Sequence, residues 1–172
     1  MDNKQQLRLR AKAIRDGLDV QALSQCLVAQ LRNQSYYQNA RKVLIYYPLE
    51  GEISLLGLLE DDKAFYLPRV EGKALAVCSY QKDDALRCSD WGIEEPVSEA
   101  IESSEIDLAI VPALMVDKNN FRLGYGGGYY DRFLGNYPNI TSVVLIAKEL
   151  VVESLPVDEC DVKTDFVIVD YK

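Results

Sequence analysis

The apolar positions first recur every three to four residues and later gather into short continuous runs. Leu7, Ala11, Ile14 and Leu18 fall at helical spacing and predict a first helix with one apolar stripe. Lys4, Arg8, Lys12 and Arg15 repeat beside it as a basic stripe. Asp19 is placed to cap a second helix, whose inner face is marked by Val20, Leu23, Leu27 and Leu31. The pattern then changes to β-formers. Residues 42–47, closed by Pro48, and residues 64–67, ending at Pro68, predict strands around a short helical stretch at 53–59. Further strands are predicted at 75–80, 107–111, 142–147 and 166–169, with helical segments at 129–134 and 149–155. Runs such as Leu108-Ala109-Ile110-Val111 and Val143-Val144-Leu145-Ile146 are apolar throughout, as in strands covered on both faces. The expected fold is therefore α/β: a three-layer α/β/α sandwich around a central, mostly parallel sheet. Residues 81–104, with Trp91-Gly92-Ile93-Glu94-Glu95-Pro96 in their middle, read as a long irregular surface connection.

Length and composition narrow this picture. A chain of 172 residues, 48% hydrophobic and 27% charged, fits one globular domain over 1–172. The charge is 19 − 27 = −8, a field that repels phosphate backbones and argues against a nucleic-acid partner. Histidine is absent, which removes His-based acid–base chemistry and Ser–His–Asp triads. Cys26, Cys78, Cys88 and Cys160 make no C-x-x-C pair, so zinc ribbons are disfavoured and the thiols are expected as buried small hydrophobes. No apolar leader region and no run of about 18 apolar residues is seen, so a cytoplasmic protein without membrane contact is expected.

The stretch that carries chemistry is Phe121-Arg122-Leu123-Gly124-Tyr125-Gly126-Gly127-Gly128-Tyr129-Tyr130-Asp131. Glycines before a helix allow close backbone approach and left-handed angles, and the helix's first N–H groups form a seat for phosphate. Arg122 adds a forked cation, and Asp131 lies within reach of a Mg²⁺ on the same phosphates. No lysine follows the glycines as a Walker A loop requires, and Tyr129 stands where the dinucleotide fingerprint needs glycine. Glycines alone would fit a tight turn. Glycines, arginine, paired tyrosines and aspartate together fit a ligand cup better.

RLGYGGGYYDRFL resembles the signature of the 5-formyltetrahydrofolate cyclo-ligase family. The likeness extends in order through Lys4-x-x-x-Arg8, Gly51-Glu52, Leu67-Pro68-Arg69, Glu95-Pro96, Leu155-Pro156 and Asp161-x-x-x-Asp165. It implies ATP- and Mg²⁺-dependent closure of 5-formyltetrahydrofolate to 5,10-methenyltetrahydrofolate with release of ADP and phosphate; a monomer is expected. It further implies that Lys4, Gln5, Gln6, Leu7 and Arg8, with Arg122 to Tyr130, contact ATP, and that Lys4 and Arg122 act on its phosphates. By the same likeness Leu49, Glu52, Ser54 and Tyr125 to Tyr129 contact the folate, and Asp131 and Asp161 hold the metal. Ser54 departs from the carboxylate common at its position, leaving Glu52 or Glu50 as substitutes for the pterin contact. Asn120 replaces a usual glycine, but asparagine tolerates a left-handed turn. Arg69 is either a partner for a ligand anion or an exposed strand-end cation. The alternative function is a non-catalytic folate- or nucleotide-binding protein of the same fold.

Overall fold

The computed structural model describes residues 3–171. Helix α1 (Lys4–Arg15) starts at a reciprocal cap. The Asn3 side chain accepts from the Gln6 N–H, and the Gln6 side chain accepts from the Asn3 N–H, an arrangement worth about 1 kcal/mol. The second helix, α2 (Val20–Arg32), opens on Asp19, whose carboxylate accepts from the Ala22 N–H. After a short α3 (Ser35–Asn39) the chain enters β1 (Lys42–Leu44), a 3₁₀ turn (Leu56–Glu60), β2 (Ala64–Glu71) and β3 (Ala74–Ser79). Then follow β4 (Leu86–Cys88), β5 (Glu94–Pro96), β6 (Ala100–Ile101), β7 (Leu108–Ile110), β8 (Met115–Asp117) and β9 (Arg122–Leu123). Helix α4 (Tyr129–Asn136), β10 (Thr141–Ala147), β11 (Val151–Val152) and β12 (Phe166–Asp170) complete the order.

Seven strands form the central sheet in the order β12-β10-β7-β1-β2-β3-β6. The pairs from β12 to β2 are parallel; β3 and β6 are added antiparallel. Successive residues along the inner strands face opposite layers, as the two-residue period of a strand demands. Val43, Leu108, Ile110, Val143 and Leu145 pack with Leu27 and Leu31 of α2. Their neighbours Leu44, Ala109, Val144 and Ile146 pack on the other face with Leu7 and Ala11 of α1 and Phe133 of α4. The continuous apolar runs are thus explained by two cores, one on each side of a single sheet.

Several expected elements differ. Residues 149–155 form no helix: a 3₁₀ turn (Lys148–Leu150) passes into β11, which pairs in parallel with β8. Two β-branched valines at 151 and 152 favour that extended pairing. The 81–104 connection is partly ordered as the β4–β5 hairpin and the edge strand β6. Strand β2 continues through Pro68 to Glu71, because β1 pairs only as far as Tyr66 and the edge that lacks a proline N–H has no neighbour there. Cys78 is buried, but Cys88 and Cys160 are exposed, and all four thiols are free. Asn120 does take a left-handed angle, φ 65°. No helix among the described residues is long and apolar enough to cross a membrane.

Candidate functional site

The strand order reverses at β1, with β2 on one side and β7 on the other, and such switch points leave a crevice beyond the carboxyl ends of the strands. A cleft of about 910 Å³ opens there. Its walls come from the segment after β1 (Tyr46 to Glu52), the end of β2 (Pro68, Val70), the β4–β5 hairpin, the glycine tract and residues 155–162.

The glycine tract is shaped by what it packs against. Gly126 (φ 106°) and Gly128 (φ 67°) adopt left-handed angles, and Gly128 sits at the N-cap of α4. A Cβ at Gly126 would lie 3.5 Å from the Arg8 guanidinium, and one at Gly127 would lie 2.7 Å from the Tyr129 ring. Arg8 Nε donates to the Gly124 carbonyl at 2.8 Å, tying α1 to the tract across 116 residues of sequence. From the other side Arg132 donates to the carbonyls of Lys73 and Gly127.

Arg122 lies beneath this loop, its side chain 3% exposed, with Nη2 3.1 Å from Asp131 Oδ1. Burial pulls its pKa below the ordinary arginine value, against the pull of Asp131. Its Nε has no hydrogen-bond partner among the described residues. A buried guanidinium with an unmet donor is costly, and an anion would relieve it. Lys4 reaches Asp158 and Asp161, each at 2.6 Å. Burial opposes the charges at this pair, yet the contacts prevail: they hold Lys4 above its ordinary pKa and, with the Asp158 N–H, hold Asp161 below the carboxylate range.

On the opposite wall Glu52 is only 5% exposed. Its Oε1 accepts from the Tyr125 hydroxyl at 2.6 Å and its Oε2 from the Leu49 N–H at 2.8 Å. Arg15 Nη1 donates to the same tyrosine oxygen at 2.9 Å. Burial, then Glu52, pushes the Tyr125 phenol well above its usual pKa, while its ring stays half open to the cleft.

The structure therefore brings Lys4, Arg8, Leu49, Glu52, Arg122 to Tyr130, Asp131 and Asp161 around one cleft. Gln5, Gln6, Leu7 and Ser54 are not among its walls. With Lys4 and Arg8 on the cleft side, the helical period turns Leu7 into the core and leaves Gln5 exposed, while Gln6 is spent on the cap. Ser54 is tied to α2 only through its backbone N–H, which donates to Ser24 Oγ, while its own Oγ accepts from the Leu56 N–H at 3.4 Å. Arg69 does not line the cleft either; its guanidinium pairs with Glu71 and donates to the carbonyls of Pro96 and Ser98. Arg15, Asp158, Trp91 and Glu95 were not assigned to the site from the sequence, though Trp91 and Glu95 stood in the long connection and Glu95-Pro96 belonged to the family likeness.

The sequence model of the 5-formyltetrahydrofolate cyclo-ligase family matches residues 1–170. The chain belongs to that family. The 5-formyltetrahydrofolate cyclo-ligase of Haemophilus influenzae is 30% identical, over 92% of this chain and 93% of its own length. The Mus musculus cyclo-ligase is 28% identical, over 94% and 87% respectively. Among solved structures, the Aquifex aeolicus 5,10-methenyltetrahydrofolate synthetase is 29% identical and superposes with a TM-score of 0.84, covering 98% of this chain and 90% of that one. A synthetase from Mycoplasma pneumoniae, 22% identical with a TM-score of 0.73 and 98% coverage of both chains, shares the fold. The cyclo-ligase likeness runs from α1 through β12, so every wall of the cleft falls inside it.

Proposed function

We propose that this protein, acting as a cytoplasmic monomer, closes 5-formyltetrahydrofolate to 5,10-methenyltetrahydrofolate at the expense of ATP. The observation that carries the nucleotide half of this reading is Arg122, a buried cation with an orphaned Nε under a glycine cup. The γ-phosphoryl group passes to the formyl oxygen, making phosphate the leaving group. The adjacent amine nitrogen attacks the formyl carbon, the new C–N bond forms, the C–O bond breaks, phosphate departs and the amine proton passes to solvent. Phosphoryl transfer asks mainly for positioning and charge neutralisation, which suits a chain without histidine.

In this reading the glycine backbone and the start of α4 cradle the phosphates, Arg122 neutralises them from below, and Lys4 and Arg8 reach them from α1. Tyr125 offers an open ring to the flat folate. Magnesium fits the carboxylates present. Asp131 is bonded through Oδ1 and Asp161 through Oδ2, so each keeps one oxygen without a partner among the described residues. No three potential metal-binding side chains converge among the described residues, so phosphate oxygens and waters would complete an octahedral shell. Bound there, the ion would supply positive charge against the transferring phosphoryl group.

The test is absorbance of the methenyl product when purified protein meets ATP, Mg²⁺ and 5-formyltetrahydrofolate. Product that depends on all three is expected. Folate binding without product at high protein concentration would instead establish the non-catalytic binding protein.

A further inference from the structure

We propose that Glu95 is the residue that reads the pterin ring, its carboxylate accepting hydrogen bonds from the ring N3–H and the 2-amino group. The proposal rests on the folate reading above and names the contact that Ser54 leaves unmade. Glu52 is the weaker candidate: both of its oxygens already accept within the protein, whereas Glu95 keeps one oxygen wholly unpaired among the described residues.

Glu95 lies on β5 and is only 4% exposed. Its Oε1 accepts from the Val70 N–H at 3.0 Å, on the edge of β2 that β1 no longer covers. This bond fixes the carboxylate beside the switch point. Among the described residues Oε2 has no hydrogen-bond partner, and it is not sealed in, since Arg122 Nε is the one enclosed side-chain polar atom among them without a bond. Glu95 is part of the cleft wall, and a ligand held there would meet this oxygen. The nearby guanidinium of Arg69 is committed to Glu71 and to the carbonyls of Pro96 and Ser98. A nearly buried carboxylate with half its acceptor capacity unmet is expensive to keep unless a ligand supplies the donors.

The chemistry of the surroundings selects the donor. Pro68, Val70, Trp91 and Ile93 line the same wall and suit a flat ring. Phosphates and the folate's glutamate tail are anions, which Glu95 repels. Adenine presents its amino group beside an acceptor nitrogen, a mismatch for an acceptor-only carboxylate. A pterin presents two donors side by side, matching the two carboxylate oxygens, and Oε1 retains a second lone pair for its share.

The test uses Glu95→Gln, which keeps the acceptor for Val70 but sets an NH₂ group against two donors. Folate affinity is read by quenching of Trp91, the single tryptophan, and by calorimetry, with a non-hydrolysable ATP analogue measured in parallel. E95Q should bind 5-formyltetrahydrofolate roughly 10- to 100-fold more weakly, the loss of a charged hydrogen-bond pair, with nucleotide affinity unchanged. A folate analogue lacking the 2-amino group should bind wild type about tenfold more weakly than the parent, and E95Q should no longer tell the two apart. Unchanged folate affinity in E95Q, or an equal loss of nucleotide affinity, overturns the assignment. Equal binding of parent and analogue by wild type overturns it without any variant. Wild-type protein that binds no folate overturns the functional reading itself.

Discussion

Helices α1 and α2 have nearly the same length, 12 and 13 residues, and lie on opposite faces of one sheet, yet they are held by different physics. The second helix buries Ser24, Leu27, Val28 and Leu31, and its terminal cation Arg32 is paired locally with Asp61. Helix α1 buries only Leu7 and Ala11. Its cations reach far along the chain instead: Lys4 to Asp158 and Asp161, Arg8 to the Gly124 carbonyl, Arg15 to Tyr125 and the Ala113 carbonyl. A helix fixed by apolar burial stabilises the fold. A helix fixed by cations at a cleft gives up some of that burial to hold charge where an anionic ligand binds.

The comparison breaks most visibly at Leu31, which is fully buried. Leu31→Ala should cost about 2 to 5 kcal/mol of stability, read as a lower urea midpoint, with kcat/KM of the folded fraction unchanged. Activity falling in step with stability would show that α2 also shapes the site. Lys4→Ala makes the complementary cut: about 1.5 to 3 kcal/mol lost in kcat/KM, carried by the nucleotide KM, with a stability change under about 1 kcal/mol. A pure loss of stability with unaltered kinetics would return α1 to a structural role.

The smallest effect sharpens the α2 side. Burial pushes the Asp61 carboxyl up, but the Arg32 and Tyr37 hydrogen bonds outweigh it and hold its pKa below the ordinary value. A lowered folded pKa adds stability that is full above the unfolded pKa, about 3.9, and is lost as pH falls through the folded value. Asp61→Asn should therefore destabilise by at most about 1 kcal/mol at pH 7, since Arg32 is partly exposed, and the gap from wild type should close below about pH 4. A gap that widened on acidification would contradict the pairing.

The elements legible along the chain were those with local causes. The stripes of α1 and α2, the cap at Asp19, the apolar strands and the left-handed turn at Asn120 all follow from neighbouring residues. The segment at 149–155 misled because its apolar spacing suits a helix, while the ladder offered by β8 lies more than 30 residues upstream. The short β4–β5 hairpin was hidden for a similar reason: its polar residues look like loop until Arg69 and Val70 anchor it to β2. In the site, residue types and spacing marked the glycine cup, but not which of its neighbours are already bonded.

Reading residues in order was enough to establish an α/β layered chain with a glycine cup, because helix periodicity, strand runs and left-handed turns are short-range properties. The assembled molecule alone determined that Arg122 is buried with an unmet donor, that Ser54 lies outside the cleft walls, and that Glu95 lines them. Each of these depends on partners brought together by parallel crossovers, and burial and hydrogen-bond satisfaction have no value until those partners are in place.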